Sequence, residues 1–238
     1  MKGRPLRFRN LPGRKYISGV DTFIRHRLVS ELARNFRPTS ILDCGGKGLL
    51  SLFMREVRVT TANIKSADIN YSGESLPVLD NSFDLVVSLD TLEHLPRARR
   101  MAFIRDVQRV AKKGLIICAP FGTAEHLAYE KQFLAAGIQS GESSFYLAEH
   151  VKYGLPIPAE VVDMANILDV RIYYQGNFRE IVTVKNSNRA QAYIALLSQV
   201  LRNIITDIRW HKGHHLSDSF TPYTNRFFLI AEKCDNGR

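Results

Sequence analysis

Two stretches of the sequence decide the fold: ILDCGGKG at residues 41–48 and LPVLDNSFDLVVSLDTLEHLP at residues 76–96. The first is a short apolar strand that leads into a glycine cluster. The second contains the apolar run FDLVVSL, which ends in acidic and histidine residues. A continuous apolar run is expected of a strand buried on both faces of a parallel sheet. Ligands of open α/β sheets bind outside the carboxyl ends of the strands. The two stretches therefore predict a nucleotide-type pocket above a parallel sheet.

Helices and strands alternate around these two stretches. Apolar residues recur at helical spacing over residues 20–36 and 98–111. Further strands are predicted at residues 58–64, 114–119, 170–174 and 226–231. This alternation predicts a doubly wound α/β sheet with helices on both faces.

We expect one domain, residues 1–238, without internal repeats. It begins with a basic tail at residues 1–19 and carries two insertions, at residues 122–158 and 176–222. The first insertion is polar and irregular in sequence. Because loops on a rigid scaffold usually carry specificity, both insertions are candidates for shaping a substrate site.

The composition favours an ordinary globular protein of the cytoplasm. Hydrophobic residues make up 45% of the chain and charged residues 24%. No apolar run approaches the ~18 residues that a membrane-spanning helix needs. The three cysteines, Cys44, Cys118 and Cys234, lie far apart and lack paired metal-ligand spacing, which favours reduced thiols. The histidines show no HExxH pattern, so no metal site is expected.

The net charge of +10 is unevenly distributed. Residues 41–96 hold 4 basic and 8 acidic residues, whereas residues 97–113 hold 7 basic and 1 acidic. Basic segments attract nucleic acid, anionic lipid or acidic substrates without specifying which of them. A solvated helix face and a basic tail explain the same pattern without any partner.

The glycine cluster has the residue types of a cofactor-binding turn. Glycines let the backbone approach a ligand closely, and Asp43 precedes Gly45, Gly46 and Gly48. In dinucleotide folds an acidic side chain about 20 residues past the turn accepts hydrogen bonds from ribose hydroxyls. That position holds Asn63, which can accept through its carbonyl and donate through its amide.

The two stretches together resemble the class I S-adenosylmethionine-dependent methyltransferases, specifically the methyltransferase type 11 group. The resemblance implies a Rossmann-like sheet closed by an antiparallel strand near the end of the chain, with S-adenosylmethionine as cofactor. It implies these cofactor contacts: Asp43, Gly45, Gly46, Gly48, Asn63, Ser72, Asp90 and Leu92. The chain departs from the family at three points. The glycine pattern is D-C-G-G-K-G instead of D-x-G-x-G-x-G, and Asn63 and Ser72 stand where the family carries acidic residues.

Asp90 and His94 are the candidate catalytic residues. A histidine has a near-neutral pKa, so His94 could take a proton from an acceptor hydroxyl or amine. The alternative is that Glu93 and His94 begin and cap a helix. The candidates for lining the acceptor site are His126, Tyr146, Glu149, His150 and Tyr153.

The expected activity is methyl transfer to a small-molecule, glycan or lipid acceptor. Two alternatives stay open: an RNA methyltransferase that uses the basic tail and residues 97–113, and a non-catalytic module whose cofactor pocket has decayed. Residues 188–210 predict a helix with a broad apolar face. This helix could pack on the domain as a lid, form a homodimer contact, or lie at a membrane interface.

Overall fold

The computed structural model of the protein describes residues 13–71, 74–139, 145–180, 189–210 and 216–233. Ser72 and residues 1–12 of the basic tail lie outside the described residues. Among the described helices, none has the length and apolar character needed to cross a membrane.

Within the described residues, seven strands form one mixed sheet. They are β1 (Ser40–Cys44), β2 (Arg58–Asn63), β3 (Ile69–Asn70), β4 (Phe83–Leu89), β5 (Ala111–Pro120), β6 (Ile172–Asn177) and β7 (Thr224–Glu232). Their order across the sheet is β3-β2-β1-β4-β5-β7-β6. The first five strands are parallel, and β7 runs antiparallel to both β5 and β6. The predicted doubly wound sheet with a closing antiparallel strand is confirmed.

Six α-helices accompany the sheet in the described part of the chain. They are α1 (Val20–Asn35), α2 (Arg97–Val110), α3 (Ala124–Gln139), α4 (Phe145–Tyr153), α5 (Pro158–Leu168) and α6 (Arg189–Ile208). Three of them, α1, α2 and α6, begin and end close to the bounds that the sequence predicts.

The core lies on both faces of the sheet because successive residues of a strand point to opposite sides. In β5, Leu115 and Ile117 join one buried cluster, and Ile116 and Cys118 join the other. The first cluster contains the apolar sides of α2 and α5. The second contains the apolar side of α1 and the indole of Trp210, which follows α6. The continuous apolar runs of the central strands are therefore explained by burial on both faces.

Residues 122–158 contain two helices, α3 and α4, so the prediction of an irregular segment is wrong there. The sequence of α3, AEHLAYEKQFLAAGIQ, consists largely of strong helix formers. Many of its side chains are exposed, so it lacks the wide apolar stripe that reveals a helix in sequence. Intrinsic propensity is a weaker guide than periodicity, which is why the sequence does not reveal this helix.

Helix α6 packs on the domain through its polar side. Asn203 is buried and donates to the carbonyl oxygens of Tyr16 and Ser18 at 2.9 and 2.8 Å. Asp207 accepts from Lys15 at 2.7 Å and from Arg27 at 2.9 Å. The apolar side faces outward instead and exposes Tyr193, Ile194, Leu196, Leu197, Leu201, Ile205 and Ile208. The predicted apolar face exists, and much of it is exposed.

A buried ion pair fastens α2 to α5. The guanidinium of Arg100 is 1% exposed and lies 3.0 Å from the carboxylate of Glu160. It also donates to the carbonyl oxygens of Leu95, Tyr153 and Gly154. Arg100, one of the basic residues of α2, is thus buried.

Glu160→Gln should lower the free energy of unfolding by about 3 kcal/mol, because it leaves the buried Arg100 charge without its counterion. Urea unfolding followed by circular dichroism measures this change. Glu74→Gln is the matched control, since it breaks the exposed Arg99–Glu74 pair and should cost less than about 1 kcal/mol. Equal losses in the two variants would contradict the structural role of the buried pair.

Candidate functional site

The predicted pocket residues gather where parallel strands end. The chain passes from β1 outward to β2 and β3 and then returns to β4 on the other side of β1. This reversal of direction creates a crevice between the loops after β1 and β4, the usual ligand site of such sheets. The hydroxyl of Thr91, after β4, donates to the carbonyl oxygen of Cys44, at the end of β1, at 3.2 Å.

Two glycines of the loop after β1, Gly45 and Gly46, have no room for a side chain. Gly45 adopts a left-handed backbone with φ of 86°, and an added Cβ would lie 2.0 Å from the hydroxyl of Thr91. An added Cβ on Gly46 would lie 2.0 Å from a carboxylate oxygen of Asp43. Gly48 is also left-handed, with φ of 79°. The loop therefore exposes bare backbone at the edge of the crevice, despite its shortened glycine spacing.

Asp43 is almost fully buried beneath this loop. It accepts a hydrogen bond from the backbone of Gly48, while its Oδ2 has no partner among the described residues. Burial raises the pKa of the carboxyl to about 7. A buried oxygen without a partner is costly, which is typical of a site whose partner arrives with a ligand.

The amide of Asn63 stabilises the glycine loop. Its nitrogen donates to the carbonyl oxygens of Gly45 at 2.7 Å and Gly46 at 3.3 Å, and its oxygen accepts from the amide of Ile64 at 2.7 Å. An aspartate could not donate to these carbonyls. Asn63 thus lies beside the loop, as the sequence predicts, but its polar atoms bind protein backbone here. Asp68, five residues further along the chain, accepts from the amide and hydroxyl of Thr61 at 3.0 Å.

Asp90 lies in a four-residue ion network. Its carboxylate is 2.5 Å from Arg25 of α1 and 3.2 Å from Arg226 of β7, and both arginines also pair with Asp21. Burial alone would raise the pKa of Asp90, but Arg226 and Arg25 outweigh it and lower the pKa to about 2. Asp90 is therefore ionised at neutral pH and is poorly suited to accept a proton.

His94 lies at the centre of a cluster of histidines and carboxylates. A short 3-10 helix, Leu92–His94, follows β4 and places this imidazole against α4. The Nδ1 of His94 is 2.9 Å from Glu149, and the Nδ1 of His150 is 2.9 Å from Glu130 of α3. The two Nε2 atoms face each other at 3.4 Å.

The carboxylate of Glu93 is buried beside these histidines. The residue is 0% exposed, and neither carboxylate oxygen has a hydrogen-bond partner among the described residues. Burial and the neighbouring charge of Asp90 raise the pKa of Glu93 to about 8. Candidate ligand atoms of Glu93, His94 and His150 all lie within 4.8 Å of one another.

Three of the five predicted acceptor-site residues meet His94. Glu149 and His150 bond within the cluster, and the ring of Tyr146 packs edge-on against His94 at 5.6 Å. Tyr146 also accepts from Lys47 of the glycine loop at 3.0 Å, so α4 bridges the loop and the cluster.

The other predicted site residues have structural contacts. His126 is buried and stacks on Phe178 at 4.3 Å, and its Nδ1 lies 2.9 Å from the carbonyl oxygen of Phe121. The backbone of Tyr153 accepts from Arg100. The side chain of Leu92 belongs to the core below the sheet edge.

Sequence reasoning did not assign roles to Arg25, Arg226 or Glu130. Arg25 and Arg226 reach Asp90 from the two ends of the chain, and the sequence holds no local signal for such a contact. Glu130 meets His150 only because α3 packs on α4, in the segment that was predicted to be irregular. Recognising α3 as a helix would have placed His126 and Glu130 one turn apart.

The comparisons with known proteins agree with this architecture. The sequence profile of the methyltransferase domain family, Methyltransf_11, matches residues 49–119. The plantazolicin methyltransferase BpumL, solved in complex with SAH, superposes with a TM-score of 0.52 at 12% identity, over 94% of this chain and 86% of that one. The plantazolicin methyltransferase BamL, in complex with SAH and a triazolic desmethylPZN analog, gives a TM-score of 0.51 at 13% identity, over 93% and 86%.

The match to a SAM-dependent methyltransferase from Archaeoglobus fulgidus extends over 87% of this chain and 94% of that one, at 15% identity and a TM-score of 0.48. The comparison with curated proteins finds no match. The profile match at residues 49–119 and the shared fold agree with the class I, S-adenosylmethionine-dependent methyltransferases. The family resemblance and the enzyme class predicted from the sequence are thereby confirmed.

Asp43→Asn should reduce the pH dependence of stability. The ordinary pKa of the carboxyl is 3.8 and the folded value is about 7, so between these values the folded protein keeps a proton that the unfolded chain has lost. The free energy of unfolding therefore falls as the pH rises through this range. From about pH 5 to about pH 7, the wild type should lose about 2 kcal/mol more than the variant, measured by urea unfolding.

The control is Asp163→Asn, which changes an exposed aspartate of α5. It should keep the pH dependence of the wild type. If Asp43→Asn also kept it, the buried carboxyl would be ionised throughout, contrary to its surroundings.

Proposed function

We propose that this protein transfers a methyl group from S-adenosylmethionine, bound at the glycine loop, to a small-molecule, glycan or lipid acceptor bound beside His94. The observation that carries the proposal is the bare backbone of Gly45 and Gly46 above the unpartnered oxygen of Asp43. A site with these features suits a ligand that approaches backbone closely and brings hydrogen-bond donors.

The residues around the loop fit the donor. Asp43 and the loop from Gly45 to Gly48 would hold it, with Asn63 and Ser72 on the ribose and adenine side, and Asp90 and Leu92 after β4. When bound, it supplies a methyl group on a positively charged sulfur, which is already activated for transfer. The protein then has to position the acceptor and to help it lose a proton.

We assign different roles to the two predicted catalytic residues. Asp90 is fixed by Arg25 and Arg226, so it is proposed to position the loop after β4. His94 is proposed to accept the acceptor's proton, because its imidazole follows Asp90 after β4 and is oriented by Glu149. The acceptor site is proposed to lie beside His94 and α4, with α4 in the first predicted insertion. The second insertion supports it, since Phe178 stacks on His126 of α3.

The pairing of the basic residues argues against RNA as acceptor. Five of the seven basic side chains of residues 97–113 form ion pairs with carboxylates: Arg97, Arg99, Arg100, Arg109 and Lys113. Such side chains are poorly available to release counterions from a phosphate backbone. The described part of the basic segment thus serves the fold, and the location of the protein in the cytoplasm stays a prediction from composition.

Gly46→Ala should weaken binding of S-adenosylhomocysteine at least about 10-fold, because the new methyl group collides with Asp43 and narrows the loop. Isothermal titration calorimetry of the purified wild type and variant measures the effect. Gly19→Ala is the matched control, since a Cβ there meets only Thr22 at 3.8 Å.

The control should bind as the wild type does. A wild type that binds neither S-adenosylmethionine nor its product at millimolar concentration would overturn the enzyme assignment. It would instead favour a non-catalytic module whose cofactor pocket has decayed.

We also propose that the exposed side of α6 contacts a second copy of the protein. Large apolar side chains form a stripe along this helix, with Ile194, Leu197, Leu201, Ile205 and Ile208 at helical spacing. Monomers rarely expose a contiguous apolar surface of this kind. A two-fold dimer would bury the same stripe on both copies.

Leu201→Glu should convert the dimer to a monomer without unfolding it, because Leu201 is 57% exposed and the new charge would be buried only in the dimer. Light scattering coupled to size-exclusion chromatography reports the mass. Arg202→Glu, an exposed neighbour, is the control and should remain dimeric. A monomeric wild type that instead binds anionic lipid vesicles would assign the stripe to a membrane surface.

A further inference from the structure

We infer that Glu93, His94 and His150 bind a divalent transition-metal ion beside the proposed donor pocket. The side chains come from the short helix after β4 and from α4, and their candidate ligand atoms lie within 4.8 Å of one another. Two histidines and one carboxylate are a recurring ligand set for zinc, manganese or iron(II), with further positions open to substrate.

The separation of the two imidazoles matches a shared ion. Each nitrogen bound to zinc lies at about 2.0–2.1 Å from the metal, so two nitrogens at a tetrahedral angle are about 3.3 Å apart. The Nε2 atoms of His94 and His150 are 3.4 Å apart. A carboxylate oxygen of Glu93 lies within 4.8 Å of both imidazoles' candidate ligand atoms.

Both imidazoles are oriented as metal ligands usually are. Glu149 accepts at the Nδ1 of His94, and Glu130 accepts at the Nδ1 of His150, each at 2.9 Å. A carboxylate at the far nitrogen fixes the tautomer, so the lone pair of Nε2 points towards the metal. If both Nδ1 atoms carry the proton, the two Nε2 lone pairs face each other with nothing between them, which is unfavourable without a cation.

The carboxylate of Glu93 gives independent support. It is fully buried, and both of its oxygens lack a hydrogen-bond partner in the described part of the chain. Buried carboxylates are normally paired or bound to a metal. Arg226 pairs with Asp21 and Asp90 and donates no hydrogen bond to Glu93.

The position of the ion indicates the chemistry of the acceptor, and this step rests on the proposed function. An ion with open positions binds an oxygen of the acceptor and lowers the pKa of a hydroxyl group. The proton leaves to water, the oxygen forms the new C–O bond, and the C–S bond breaks with its electron pair remaining on sulfur. In this arrangement His94 promotes loss of the proton indirectly, as a ligand of the ion. The acceptors are then hydroxyl compounds.

The test is a titration of the purified full chain, stripped with a chelator, with Zn²⁺, Mn²⁺ and Mg²⁺ in separate calorimetric experiments. One equivalent of Zn²⁺ or Mn²⁺ should bind, and Mg²⁺ should bind more weakly because it prefers oxygen ligands. Glu93→Gln and His150→Asn should each weaken binding at least about 100-fold, and Glu149→Gln about 10- to 100-fold. Bound metal should raise the Tm of the wild type but not of Glu93→Gln.

The control is the double variant His214→Ala, His215→Ala, which removes an adjacent histidine pair that could chelate metal on its own. It should bind as the wild type does. Absence of one-equivalent binding to the wild type, or equal binding by Glu93→Gln and His150→Asn, would overturn the metal site.

Titration with S-adenosylhomocysteine separates this inference from the proposed function. Glu93→Gln should retain that binding while losing metal, since Glu93 lies at the acceptor end. If both ligands failed to bind the folded wild type, both the metal site and the methyltransferase activity would be rejected. If S-adenosylhomocysteine bound and metal did not, only the metal site would be rejected.

Discussion

The carboxylate of Asp90 is held between Arg25 and Arg226, and the geometry of the site depends on this contact. Arg25 comes from the first helix and Arg226 from the closing antiparallel strand, so the network joins both ends of the described chain to the loop after β4. Asp90 itself has a left-handed backbone, with φ of 47°, which is costly for a residue other than glycine. The two ion pairs offset that cost and aim the next residues at the crevice. Without them, the short helix that presents Glu93 and His94 would lack a fixed starting point.

Two buried carboxylates at the site are unfavourable for the stability of the fold. Asp43, below the glycine loop, and Glu93, below the histidines, are both buried carboxylates with oxygens that lack partners among the described residues. Their pKa values are raised to about 7 and about 8, whereas Asp90 between them has a pKa lowered to about 2. Stability alone would select against such groups. The proposed methyl donor would supply a partner for Asp43, and the proposed cation would supply one for Glu93.

The sequence predicted the sheet well because its signals there are local. The run at residues 83–89 becomes β4 without a shift, and the glycine loop follows β1 as expected. The contacts that build the acceptor end could not be predicted in the same way. Glu130 and His150 meet through helix packing, and the amide of Asn63 turns towards the loop carbonyls because an asparagine can donate where an aspartate cannot. For α6 the sequence predicted the apolar face but left three alternatives for its contact, since periodicity reveals that a face is apolar but not what covers it.

The most direct test of the account is a crystal structure of the protein grown with S-adenosylhomocysteine and Mn²⁺. The account predicts the ligand against the backbone of Gly45 and Gly46, with its sulfur directed towards the loop that carries Asp90 and His94. It also predicts an anomalous peak between Glu93, His94 and His150. Two results would contradict the proposal that this crevice binds the methyl donor. One is a ligand bound away from the glycine loop. The other is a crevice without ligand at saturating concentration, with Asn63 still bonded to the loop carbonyls.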